Sequence, residues 1–172
     1  MFKGTYEHRL DGKGRLPVPA AFRRALGKAD ALVVTQLDQC LAVYAPAEWA
    51  KLESQLAALP AFSKPVKALT RLLASRAADC VLDVQGRILI PATLREAASL
   101  KNDVIIIGVL NRFEIWAPES WKGFLQDSER LLDDVAFDLE WPALPGGLTS
   151  PPPPPLVTPV TTERPQAKPK KA

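Results

Sequence analysis

Two arginines in this chain stand 72 residues apart in the same setting. Arg15 closes Asp11-Gly-Lys-Gly-Arg15 and Arg87 closes Asp83-Val-Gln-Gly-Arg87, so both obey Asp-x-x-Gly-Arg. Glycines permit the positive φ of a tight turn, and an aspartate at its start can accept hydrogen bonds from the turn's own N–H groups. Asp11, Gly12, Gly14, Asp83 and Gly86 are therefore expected to shape two hairpin tips. Lys13, Arg15 and Arg87 are expected to project from them. A guanidinium offers a planar donor fork that matches guanine O6/N7 or a phosphate, and a two-stranded ribbon fits the major groove of DNA. Gln85 stands where the first tip has Lys13, so the tips are expected to contribute unequally. Arg23 and Arg95 keep the same offset and, with Arg24, form a weaker set of candidates.

Other chemistries fit these residues poorly. Asp11 and Asp83 could meet as a carboxylate pair sharing a proton, but that pairing needs an apolar site, and each precedes an arginine by four residues. His8 has no counterpart in the second motif, where Cys80 stands. Gly12-Lys-Gly14 is too short for a phosphate loop and opens a strand. Cys40 and Cys80 with one histidine cannot build a four-ligand zinc site. No catalysis, metal, cofactor or small-molecule ligand is expected.

The elements that must hold the two tips follow from a duplication. At the offset of 72, ten of the 39 positions from 11 to 49 are identical to those from 83 to 121, without a gap. Each copy reads as strand, glycine turn, strand, short helix, strand, strand, helix. In the first copy the extended segments are Thr5–Leu10 and Arg15–Val18; in the second they are Cys80–Leu82 and Arg87–Ile90. Pro19 and Pro91 suit the start of the helices Ala20–Leu26 and Ala92–Leu100. Apolar strands follow and end at Tyr44 and Trp116, and the closing helices start near Ala47 and Glu119. Between the copies, Val66, Leu69, Leu72 and Leu73 have helical spacing. The expected parts are repeat 1 (5–47), a linker helix (62–76), repeat 2 (77–120), an acidic helix (121–139) and a disordered Pro-rich tail (140–172). A unit of about 40 residues rarely sustains its own core, so the copies should share one about a pseudo-two-fold axis.

The formal charge of +3 understates the polarity of the chain. Residues 1–149 are neutral in total, yet residues 1–28 hold seven bases and two acids, and 64–101 hold seven and three. The balancing acids lie in 123–149, with six carboxylates against Arg130. A basic face on a neutral body still concentrates phosphate, because fields are local at physiological salt. The start, MFKGTYEHRL, lacks the apolar stretch of a secretory signal. The longest apolar run, Val104–Leu110, has seven residues, against the roughly 20 of a membrane-spanning helix. A cytoplasmic protein is expected.

These motifs resemble the MraZ family. The resemblance rests on Met-Phe-Lys-Gly at 1–4, the motifs at 11–19 and 83–91, Leu-Thr-Arg-Leu-Leu at 69–73, Ala-Asp-Cys at 78–80 and Phe-Glu-Ile-Trp at 113–116. It implies an α+β fold of two tandem SpoVT-AbrB-like elements that form a swapped-hairpin β-barrel. It also implies a nucleoid-associated transcriptional regulator, usually a repressor. Such a protein forms a homo-oligomeric ring on double-stranded DNA, at direct repeats in the promoter of the division and cell-wall gene cluster. Carried onto this chain, the DNA contacts would be Lys13, Arg15 and Arg87, with Arg23 and Arg24 matching a further basic pair. An antitoxin-like or scaffolding module, using the acidic helix or the tail, is the alternative. The proline tail departs from the common family pattern.

Overall fold

A computed structural model describes residues 1–135, which form a mixed α+β fold around an antiparallel sheet. The strands are β1 (Thr5–Arg9), β2 (Arg15–Pro17), β3 (Ala31–Leu37), β4 (Cys40–Tyr44), β5 (Ala78–Val81), β6 (Arg87–Leu89), β7 (Asp103–Val109) and β8 (Arg112–Trp116). The helices are α1 (Ala20–Leu26), α2 (Pro46–Ala57), α3 (Lys64–Ser75), α4 (Ala92–Ala97) and α5 (Pro118–Val135). The remainder of the 121–139 helix and the 140–172 tail lie outside the described residues.

The two repeats exchange strands. β1 of the first pairs with β7 of the second, and β5 of the second pairs with β3 of the first. β4 and β8 join them at the centre, giving the order β1-β7-β8-β4-β3-β5. Under the offset of 72 this order maps onto its own reverse. Ala42 faces Glu114 and Leu16 faces Ile88, each the counterpart of its partner, so the pseudo-two-fold axis runs through both pairs.

The expected barrel does not close among the described strands. The six-stranded sheet is open, and β2 and β6 form a separate short ribbon, with one isolated bridge from Ile88 to Leu82. β2 and β6 stop after three residues because each runs from a glycine turn, at Gly14 or Gly86, directly into the helix that follows Pro19 or Pro91.

Side-chain alternation sends two apolar sets to opposite faces of the sheet. Leu32, Val34, Leu41, Val43, Val104, Ile106, Phe113 and Ile115 enter the main core with Leu16 and Ile88 from the ribbon and Phe22 and Leu94 from α1 and α4. Phe22 anchors this core, its ring centroid 5.3 Å from Phe2, 5.1 Å from Tyr6 and 5.2 Å from Phe113. On the other face, Thr35 donates to the Leu73 carbonyl of α3 at 3.0 Å, Tyr44 packs on Trp49 of α2, and Trp116 packs on Trp121 and Phe124 of α5. Buried Glu114 accepts from Trp116 Nε1 at 3.1 Å and from the Arg112 guanidinium at 2.9 Å, so its charge is paired.

Two helix readings are corrected. α4 ends at Ala97, three residues before the expected Leu100. Ser99 takes a left-handed φ of 53°, and Leu100 N–H reaches back to the Arg95 carbonyl at 2.8 Å, a helix-terminating loop. In α3, Leu73 is buried and Val66 half-buried, but Leu69 and Leu72 stay exposed. Spacing alone overstated the width of its packed face.

Candidate nucleic-acid interface

Each tip is built by one aspartate. Asp11 Oδ1 accepts the backbone N–H groups of Lys13 and Arg15, both at 2.9 Å, and Oδ2 accepts Arg15 Nε at 2.6 Å. Asp83 repeats the pattern, taking the N–H groups of Gln85 and Arg87 at 2.9 and 3.0 Å and Arg87 Nε at 2.8 Å. Gly14 and Gly86 carry the left-handed φ values of 81° and 73° that the turns require. Gly12 does not share that role. Its backbone is ordinary, a Cβ there would meet open space, and Val84 fills the equivalent position.

The arginines do not project freely, as their place in a turn suggests. Arg15 and Arg87 fold back onto their aspartates, leaving 36% and 23% of their side-chain surfaces exposed. A guanidinium four residues from a carboxylate across a tight turn meets it at contact distance, and pairing costs little where water still reaches both. Arg15 binds through Nε, which leaves its two terminal nitrogens for an outside acceptor. Arg87 spends Nε and Nη2 on Asp83, while Nη1 stands 3.9 Å from Asp11 of the other tip. The two tips therefore lie side by side.

Two further arginines cross between repeats. A Cβ added at Gly86 would fall 2.5 Å from Arg23 Nη1 of α1, and one at Gly14 would fall 2.8 Å from Arg95 Nε of α4. Each helix thus lays an arginine across the turn of the opposite repeat. Backbone bonds lock the same crossing: Val18 N–H donates to the Gly86 carbonyl and Ile90 N–H to the Gly14 carbonyl, both at 3.0 Å. Arg95 Nε also donates to the Ile90 carbonyl at 3.1 Å. Lys13 and Gln85 are exposed at the two apices. Arg24 is exposed on α1 beside Arg23, and Glu96 replaces it in the second repeat. Five cations (Lys13, Arg15, Arg23, Arg87 and Arg95) thus lie in or against the two tips with their two carboxylates.

The Arg15 backbone N–H, reinforced by its guanidinium and the Lys13 N–H, holds the Asp11 carboxyl down at about 2 against an opposing desolvation. The Arg87 guanidinium does most of the same work for Asp83 and also lowers its carboxyl. Both are ionised at neutral pH, which leaves no shared proton for general acid chemistry. A depressed native pKa stabilises the fold above the ordinary carboxylate range, and that contribution is lost as pH falls toward the native value. A carbon-detected NMR titration of the Asp11 carboxyl should find its midpoint near 2, with the first tip intact at pH 4. A midpoint close to the ordinary value of about 4 would show that the turn is not held by this carboxylate.

The remaining candidate groups are structural. Cys40 and Cys80 are buried free thiols, and burial pushes the Cys80 thiol up to about 11. His8 and Cys80 occupy equivalent edge-strand positions opposite Val104 and Leu32, and desolvation lowers the His8 pKa. Among the described residues, no three His, Cys, Asp or Glu side chains are grouped so as to hold a metal, and no helix is long and apolar enough to cross a membrane. Sequence reasoning missed the Arg112–Glu114–Trp116 cluster. Its signal was the spacing of two within one strand, which puts all three side chains on one face.

The family model described as "MraZ protein, putative antitoxin-like" matches residues 1–72 and again 73–136. A transcriptional regulator MraZ of Halothermothrix orenii is 45% identical over 141 residues, which are 81% of this chain and 97% of that relative. Proteins of the same name from Ligilactobacillus salivarius and Limosilactobacillus reuteri are 46% identical over 140 residues and 47% identical over 139. Each match again covers 81% of this chain, with 96% and 97% of the relative. These names agree with the expectation of a regulator and not an enzyme. With two family segments spanning every described residue, the chain belongs to the MraZ family of transcriptional regulators.

Proposed function

We propose that this regulator binds double-stranded DNA through the paired hairpin tips. On this reading Lys13, Arg15 and Arg87 make the main contacts, and Arg23, Arg24, Gln85 and Arg95 flank them. The observation that carries the reading is the pair of arginines on one two-stranded ribbon, Arg15 and Arg87, with Lys13 in the adjoining turn and Arg23 and Arg95 laid against the turns from α1 and α4; a two-stranded ribbon can enter a major groove. The reciprocal exchange of β1 and β5 between repeats supports the swapped-hairpin arrangement. The target is a set of direct repeats in the promoter of the division and cell-wall gene cluster, where the protein acts as a repressor in the cytoplasm, at the nucleoid.

One ribbon offers few phosphate and base contacts, so affinity comes from several protomers in a ring acting at high effective concentration. Self-association has two unlike faces available. α3 exposes Leu69 and Leu72, and the segment 54–78 around it holds four bases and no acid. α5, with five acids against Lys122 and Arg130, exposes Phe124, Leu125 and Leu131. Unlike faces that attract pair head to tail, and such contacts close into rings when the rotation per subunit allows.

The test is salt-titrated binding of the full chain to a promoter fragment bearing the repeats and to a scrambled fragment of equal length. Specific binding should exceed non-specific binding by about a thousandfold or more, with affinity falling as salt rises. Equal affinity for the two fragments would sink the reading. Deleting residues 140–172 should leave DNA binding in place, whereas loss on deletion would favour an interaction module.

A further inference from the structure

The two tips share a backbone and differ in what they present. Asp11, Gly14 and Arg15 correspond to Asp83, Gly86 and Arg87, and their turn hydrogen bonds agree to within 0.2 Å. At the apex the first tip carries Gly12-Lys13 and the second carries Val84-Gln85. All four residues are exposed. Gln85 lends only its backbone N–H to the turn, so its carboxamide is uncommitted, and Val84 packs on nothing within the protein. The fold needs neither side chain there, since glycine and lysine serve the same turn 72 residues earlier.

Resting on the DNA-binding reading above, we infer that the second tip is a base reader and the first an electrostatic anchor. A carboxamide bonds adenine bidentately through N6 and N7, and an apolar side chain beside it suits the thymine methyl, so Val84-Gln85 reads an A·T pair in the major groove. Lys13, a flexible point charge, adds affinity with little base preference. Two identical tips related by a two-fold would leave a palindromic footprint. Unlike tips give each protomer a direction along the duplex, and a directional protomer repeated around an assembly calls for sites in the same orientation.

The experiment selects binding sites from a random-sequence duplex library with the full chain, with Gln85→Lys, with Val84→Gly/Gln85→Lys and with Lys13→Gln. The wild-type motif should be asymmetric, with an A·T column. Gln85→Lys should erase that column, removing about 5- to 150-fold discrimination against G·C, and should steepen the salt dependence by about one ion per bound protomer. The double variant, which copies the first tip onto the second, should move the motif toward a palindrome. Lys13→Gln should keep the A·T column and flatten the salt dependence by the same amount. Melting temperatures should match throughout, because all three altered side chains are exposed. An A·T column untouched by Gln85→Lys would overturn the tip assignment while leaving DNA binding standing. A wild-type chain that selects no motif would overturn both.

Discussion

Replacing Arg15 and Arg87 together with alanine should reduce binding to the promoter repeats by about a thousandfold or more while the protein still folds. Each guanidinium that meets a base or phosphate is worth roughly 10- to 100-fold in affinity. The pairing seen in the free protein enlarges the loss. Asp11 and Asp83 are ionised at neutral pH and still accept the turn's backbone N–H groups without the guanidinia, so removing the arginines leaves two carboxylates facing the phosphates. Arg15→Ala alone should cost more than Arg23→Ala, since Arg15 keeps terminal nitrogens free beside the apex and Arg23 packs across Gly86. Arg15→Lys should recover only part of the loss, because an ammonium lacks the fork that can bind Asp11 and an outside acceptor at once. Fluorescence anisotropy measures these affinities, with thermal melting as the folding control. A double variant that melts normally and binds within threefold of wild type would remove the arginines from the interface.

The largest loss of stability is expected at Phe22. Phe22→Ala should destabilise the protein by about 3–5 kcal/mol, read from urea unfolding. Its ring touches Phe2 at the amino terminus, Tyr6 in β1 and Phe113 in β8, so one truncation opens a cavity shared by three segments. Leu94 is its counterpart in the second repeat and is equally buried, but a smaller side chain leaves a smaller void. Phe22 also precedes Arg23, so α1 loses its anchor at the point where it lays a guanidinium across the opposite tip. DNA binding should therefore weaken in Phe22→Ala even where most molecules remain folded. A cost under 1 kcal/mol would mean that α1 is peripheral to the core.

Much of this architecture is local and was readable for that reason. The offset of 72 exposes the repeat, the Asp-x-x-Gly-Arg spacing contains the turn, and Pro19 and Pro91 mark where α1 and α4 start. What could not be read depends on which strand meets which. Nothing local says that β1 pairs with β7 and not with a strand of its own repeat, or that β2 and β6 form a ribbon apart from an open sheet. The crossing of Arg23 over Gly86 and Arg95 over Gly14 follows from that exchange, and only the pairing makes these arginines neighbours of the tips. The inward fold of Arg15 and Arg87 was within reach of the sequence, since each lies four residues after an aspartate that also organises the turn. Gly12 misled in the opposite direction, because a glycine in a turn invites a conformational role that Val84 shows to be unnecessary.

Hydrogen–deuterium exchange of the full chain, free and saturated with a promoter-repeat duplex, tests the central claim most directly. Contact through the paired tips predicts slowed exchange in peptides covering residues 11–18 and 83–90, including the amides of Lys13, Arg15, Gln85 and Arg87, with α2 unchanged. Protection confined to α2, α3 or α5, with both tips exchanging as in the free protein, would contradict it.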